Sequence, residues 1–142
     1  MQSAGPTSTS DRWSFFDVDA MDETPVITAD QPDPAAASTF LKALVNHTDA
    51  EGFSLQRVRY APGAYVPRHS HDVAQVVMIL EGAAYLGNRR FGPGQGYYTP
   101  AGKGYSVQVG EEGVTLIEFR HSPLTIETVW LDDPKLAAAS PD

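Results

Sequence analysis

Residues 63–82 read GAYVPRHSHDVAQVVMILEG, and this stretch decides the fold. Val76 to Leu80 is an uninterrupted apolar run of the kind a buried strand carries, and Gly63 and Gly82 bracket the whole segment. Ahead of the run, His69 and His71 stand two apart and Gln75 follows. Successive side chains of a strand point to opposite faces. One extended segment therefore puts His69, His71, Val73 and Gln75 on one face, and Ser70, Asp72 and Ala74 on the other. Two imidazoles and an amide oxygen on a common face suit a first-row divalent metal, and the chain has no cysteine to compete for it. A histidine pair at a sheet edge is often only a polar patch, but one that leads straight into buried sheet is harder to explain that way.

Outward from this stretch the pattern is almost entirely β. Strands are predicted over 53–60, 73–80, 83–86, 96–99, 105–109, 114–120 and 125–131. Turn residues separate them at Pro62-Gly63, Glu81-Gly82, Gly87-Asn88, Gly92-Pro93-Gly94, Ala101-Gly102 and Glu111-Glu112-Gly113. With no internal repeat, these strands should close one double-sheet jelly-roll barrel. Asp33-Pro34 supplies a cap and first-turn signal, and Phe40, Leu41, Leu44 and Val45 recur at helical spacing toward Asn46, which predicts one short helix before the barrel. His47 at its end reads as a surface or capping residue. The expected organisation is a mobile tail over 1–12, an arm and helix over 13–50, the barrel over 51–131 and a tail over 132–142. Trp13, Phe15, Phe16 and Val18 read as a strand, or as an arm laid on a second subunit or on their own barrel.

The chain resembles the cupin superfamily, whose first motif is G-x5-H-x-H-x3-E-x6-G. Gly63, His69, His71, Gln75 and Gly82 stand in that register, with glutamine in place of glutamate. The second motif, G-x5-P-x-G-x2-H-x3-N, is echoed by Gly94, Pro100, Gly102 and Tyr105, with tyrosine replacing the histidine and Val109 the asparagine. The resemblance covers roughly residues 53–120. It implies a small all-β cupin barrel holding a divalent transition metal (iron, zinc, manganese or nickel). His69, His71, Gln75 and Tyr105 take the ligand positions, and His121 stands in reserve. It also implies an apolar cavity, for which Val77, Ile79, Val107 and Phe119 are the candidate liners and Tyr97 or Tyr98 a source of a hydroxyl. A homodimer is implied as well.

Residue chemistry adds three expectations. His69, His71 and Gln75 are neutral donors, so an ion held by them keeps its full charge and polarises a carbonyl or bound water strongly. That favours lyase, isomerase or cyclase chemistry on an oxygenated small molecule. An Fe(II)-dependent dioxygenase and a non-catalytic binding or sensing module are the alternatives. Tyr105 fits three roles, as phenolate ligand, as acid/base beside the ion, or as a core aromatic, and sequence fixes neither its distance nor its rotamer. Arg57 and Arg59 share a strand face. If it points inward, they would bind a carboxylate or polarised oxygen.

Composition bounds the rest. The 142 residues carry 42% hydrophobic and 20% charged side chains, ordinary for one globular domain. A net charge of −8 argues against nucleic acid and anionic membrane as partners, since both repel such a surface. No stretch reaches membrane-spanning length, and Met1 to Ser10 lacks the basic and apolar regions of a secretory signal, so a cytoplasmic location is expected.

Overall fold

The computed structural model describes residues 7–26, 38–121 and 128–135. Its strands are β1 (Thr24–Pro25), β2 (Thr39–Asn46), β3 (Ser54–Tyr60), β4 (Tyr65–His71), β5 (Gln75–Leu86), β6 (Arg89–Phe91), β7 (Gly96–Thr99), β8 (Tyr105–Arg120) and β9 (Thr128–Trp130). They form one antiparallel sheet curled on itself, the jelly-roll barrel expected from the sequence. The path β1-β2-β3-β8-β4-β9 runs through it, and β5 joins by pairing with β6, β7 and β8.

β8 is the seam of the barrel. Its C-terminal half pairs with β3 and its N-terminal half with β4, while β5 runs beside both halves. The sequence divided β8 at Glu111-Glu112-Gly113 and β5 at Glu81-Gly82, as if these were turns. Both strands instead continue through their glycines, and the β5–β8 ladder shifts register on either side of Gly82. Gly82 has φ 76° and Gly113 φ 80°, so each bends its strand without ending it. At Gly82 a Cβ would lie 2.1 Å from the Gly113 carbonyl oxygen, so this crossing closes only with glycine.

The predicted short helix does not form where Phe40, Leu41, Leu44 and Val45 suggested it. Residues 39–46 are β2, paired along its length to β3 with a bulge between Ala43 and Val45. Leu41 and Ala43 enter the core while Phe40 and Lys42 face outward, so alternation and a waiting partner strand overrode a spacing that also fits a helix. The Asp33-Pro34 signal lies outside the described residues. Helical structure near the N-terminus is a 3-10 turn at Val18–Ala20, capped by Asp17, whose carboxylate accepts from the Asp19 amide. Gln75 is also not on the histidine strand. The chain bends at Asp72 and Val73, ending β4 at His71 and starting β5 at Gln75.

The described segments that flank the barrel are tied to it. Ser8 bridges to His47, and the Ser10 amide donates to Asp49 at 2.8 Å, so backbone within the expected tail is already tied to the barrel. Trp13 and Phe15 form no strand. They stack on each other at 6.3 Å and stay 89% and 86% exposed. Asp133 accepts from the Tyr65 hydroxyl at 2.6 Å and the Arg68 amide at 2.7 Å, fastening the segment after β9 to β4.

The core gathers Leu41, Val58, Val77, Ile79, Ala84, Val107, Val109, Val114 and Leu116. The outer face of β5, β7 and β8 is apolar too, since Val76, Met78, Tyr98 and Phe119 are exposed there. No helix among the described residues is long and apolar enough to cross a membrane.

Gly82→Ala should lower stability by about 2 kcal/mol or more, because it combines a left-handed backbone with a backbone clash; a urea midpoint matching wild type would contradict this account of the seam. A pH effect follows from Glu23, whose carboxylate takes three hydrogen bonds from Arg59 and is held below its ordinary value of 4.5 mainly by them. A lowered carboxylate contributes stability above its unfolded value and loses it as pH falls through the folded one. Both side chains are partly exposed, so the contribution is no more than about 0.5 kcal/mol. Glu23→Gln should flatten the acid limb of a stability–pH curve below 4.5 and leave neutral stability lower by that amount.

Candidate functional site

Strand register assembles a polar group inside one end of the barrel. His69 on β4 lies opposite Tyr105 on β8 and Trp130 on β9, so one cross-strand row carries an imidazole between two aromatic rings. The His69 ring centroid is 4.5 Å from that of Tyr105, 4.9 Å from that of His71 and 5.4 Å from that of Trp130. His71 lies opposite Thr128 of β9, whose hydroxyl is 3.4 Å from its Nδ1. A second row runs across β3, β8, β5 and β7, where Glu118 faces Gln56 on one side and Val77 on the other, and Val77 faces Tyr97.

These rows line a cavity of about 110 Å³. Its wall includes His69, His71, Tyr97, Tyr105, Trp130, Val107, Gln56, Glu118 and Arg120, with Leu41, Val58, Tyr60 and Leu116 supplying apolar surface. Gln75 sits behind this wall, 2% exposed, and donates its amide N–H to the Tyr105 hydroxyl oxygen at 2.7 Å. Its carbonyl oxygen accepts from Arg120 Nε at 2.9 Å. Arg120 pairs through Nη2 with Glu118 at 3.0 Å, and the Gln56 amide donates to the same carboxylate oxygen. The result is a continuous buried network, Tyr105–Gln75–Arg120–Glu118–Gln56. Arg120 is 4% exposed and Glu118 9%, so the pair is desolvated and neutral overall.

His69 has a fixed tautomer. Its Nδ1 lies 2.7 Å from the Pro67 carbonyl, which can only accept, so Nδ1 carries the proton and Nε2 keeps its lone pair. Burial pushes its pKa down, favouring the neutral ring. Burial acts oppositely on the phenols and raises Tyr60, Tyr97 and Tyr105 above their ordinary values, with Glu118 adding to each. A buried imidazole with one nitrogen tied to a backbone carbonyl and the other unprotonated is how proteins prepare a metal-ligating histidine. Among the described residues no group of three or more histidine, cysteine, aspartate or glutamate side chains converges, and the cavity wall offers two imidazoles with oxygen donors beside them. That set fits a divalent transition metal.

Other expected site residues lie elsewhere. Arg57 and Arg59 are on the outer face of β3. Arg59 grips Glu23 and covers the Phe40 ring at 4.3 Å, while Gln56, Val58 and Tyr60 take the inner face. Phe119 points outward and stacks on Phe53 at 5.2 Å. His121 is exposed beside Phe53 and is not part of the cavity wall. Val77 and Ile79 are buried core rather than cavity wall, whereas Val107 and Tyr97 do line it. Gln56, Glu118, Arg120, Thr128 and Trp130 were missed. Alternation along β8 held the signal for two of them, because Val114 and Leu116 share a face with Glu118 and Arg120, but Ile117 and Phe119 made the opposite face look equally apolar.

No protein-family model matches the chain, and no curated protein does. Solved structures do. The polyketide cyclase RemF from Streptomyces resistomycificus aligns at 19% identity over 92% of this chain and 95% of that one, with a TM-score of 0.65. A sugar phosphate isomerase from a cupin superfamily, from Silicibacter pomeroyi, aligns at 22% identity over 82% and 80% with a TM-score of 0.64. The DMSP lyase DddQ from Ruegeria pomeroyi aligns at 18% identity over 69% of this chain, which spans 54% of that protein's length, with a TM-score of 0.58. The chain has the cupin fold.

Removing Glu118 alone should be severe. Glu118→Leu leaves the Arg120 guanidinium buried without its carboxylate and should cost about 3–5 kcal/mol, while the pair Glu118→Leu with Arg120→Met should recover much of that loss. Urea unfolding of the two variants checks the order; equal stabilities would mean that the pair is not a desolvated unit.

Proposed function

We propose that the protein is a small metal-dependent cupin enzyme acting on an oxygenated organic molecule by lyase, isomerase or cyclase chemistry. The carrying observation is the set tautomer of His69, which keeps a neutral nitrogen free beside His71 and Tyr105 at a cavity wall. His69 and His71 would hold the ion, and Gln75 and Tyr105 occupy the remaining positions that the motif resemblance gives to ligands. A divalent cation on neutral donors polarises a bound carbonyl or hydroxyl.

The chain's own residues supply the rest. Tyr105 accepts a hydrogen bond from Gln75, so its phenolic proton is directed away from that contact and is available to a substrate oxygen. Glu118, oriented by Gln56 and Arg120, brings a carboxylate into the same wall as the second partner for proton movement. Tyr97, Trp130, Val58, Val107 and Leu116 surround these groups with aromatic and aliphatic surface, which selects an unsaturated or ring-sized molecule over a bulky one in so small a volume. The RemF, isomerase and DddQ likenesses support this class of chemistry through the shared fold.

Elemental analysis of protein purified without added metal tests the reading. About one transition-metal ion per chain is expected, and a folded His69→Ala, His71→Ala double variant should contain none. Wild-type protein that neither contains nor takes up iron, zinc, manganese or nickel would end the proposal. If metal binds but no oxygenated ligand turns over under any of these ions, the non-catalytic binding module is the better description.

A further inference from the structure

We infer that Gln75 is not a metal ligand but a positioning residue, clamped by the Arg120–Glu118 pair so that it holds Tyr105, and that Tyr105 takes the third donor position beside His69 and His71. The inference deepens the metal reading above and rests on it.

Donor chemistry fixes the amide. A guanidinium has five N–H donors and no acceptor, so the Gln75 atom 2.9 Å from Arg120 Nε must be the carbonyl oxygen. The atom 2.7 Å from the Tyr105 hydroxyl is then the nitrogen, and the phenol oxygen accepts from it. Turning the amide over would set its NH2 against Arg120 in a spot sealed from water, leaving two buried donors face to face.

The clamp cannot slide, because every member hangs on a paired strand. Ser54 faces Arg120 and Gln56 faces Glu118 in the β3–β8 ladder, and Val76 faces Phe119 in the β5–β8 ladder, which brings Gln75 level with Arg120. Arg120 is itself anchored by Glu118, whose carboxylate oxygen also accepts from Gln56. The carboxamide oxygen at the usual ligand position is thus committed to a cation of the protein, and its nitrogen is committed to the tyrosine. Tyr105, whose ring centroid is 4.5 Å from that of His69, would then supply the third donor to a bound metal, with Gln75 acting through it.

Full-length protein stripped of metal and titrated with Co(II) alone tests this by calorimetry and visible absorption. Gln75→Leu should still bind one cobalt per chain, weaker by about tenfold, with the d–d bands of an unchanged coordination number. His69→Ala should bind none at the same concentrations, and Tyr105→Phe should alter the bands. Loss of binding or a changed coordination number in Gln75→Leu, with Tyr105→Phe unaltered, would overturn the inference.

A second readout needs no variant to fold and no cobalt. In metal-free 15N-labelled wild type the Gln75 NH2 and Arg120 Nε–H protons should exchange slowly with solvent, and both signals should persist when Zn(II) is added. Loss of the Arg120 Nε–H protection on zinc loading would show Gln75 swinging to the metal and would defeat the inference. Failure of wild type to bind either metal defeats the metal reading instead, and rapid exchange of both signals in the metal-free protein defeats the clamp on its own.

Discussion

The cavity depends on one constraint, the register of β8 against its three neighbours. An antiparallel ladder fixes which side chains stand opposite one another, and a one-residue slip sends each of them to the other face. With Glu118 opposite Gln56 and Val77, and Tyr105 opposite His69, the ladder delivers the carboxylate, the phenol and the imidazole to one interior end. Gly82 and Gly113 let β5 and β8 bend together without breaking the ladder, so the same pair of strands serves both ends of the barrel.

The electrostatics of that interior are economical. One guanidinium and one carboxylate are buried together and cancel. Breaking such a pair costs more than replacing it, so its presence argues less for stability than for a required geometry. Here the geometry it imposes is the orientation of Gln75 and, through Gln75, of Tyr105. Among the described residues, Arg120 Nη1, Gln56 Oε1 and Trp130 Nε1 are buried without a hydrogen-bond partner, which makes this wall the most polar and least satisfied part of the core.

Much of this was legible in the sequence. The apolar run after the histidines, the punctuation by glycine and proline, and the spacing Gly63, His69, His71, Gln75, Gly82 identify an all-β barrel with a histidine pair inside it, because strand alternation and turn chemistry are local properties. His69, Tyr105, Tyr97 and Val107 line the cavity. The short helix failed because Phe40, Leu41, Leu44 and Val45 fit both periods, and only β3, waiting alongside, made the strand the better choice.

By itself, then, the sequence determined the class of fold and the histidine pair, since these follow from residue type and spacing along one segment. Tertiary structure alone decided that Gln56, Glu118 and Arg120 face inward, that Arg57, Arg59, Phe119 and His121 stay outside, and that Gln75 answers to Arg120. Those facts arise from contacts between strands far apart in the chain, and a strand with apolar residues on both faces does not announce which face will be covered.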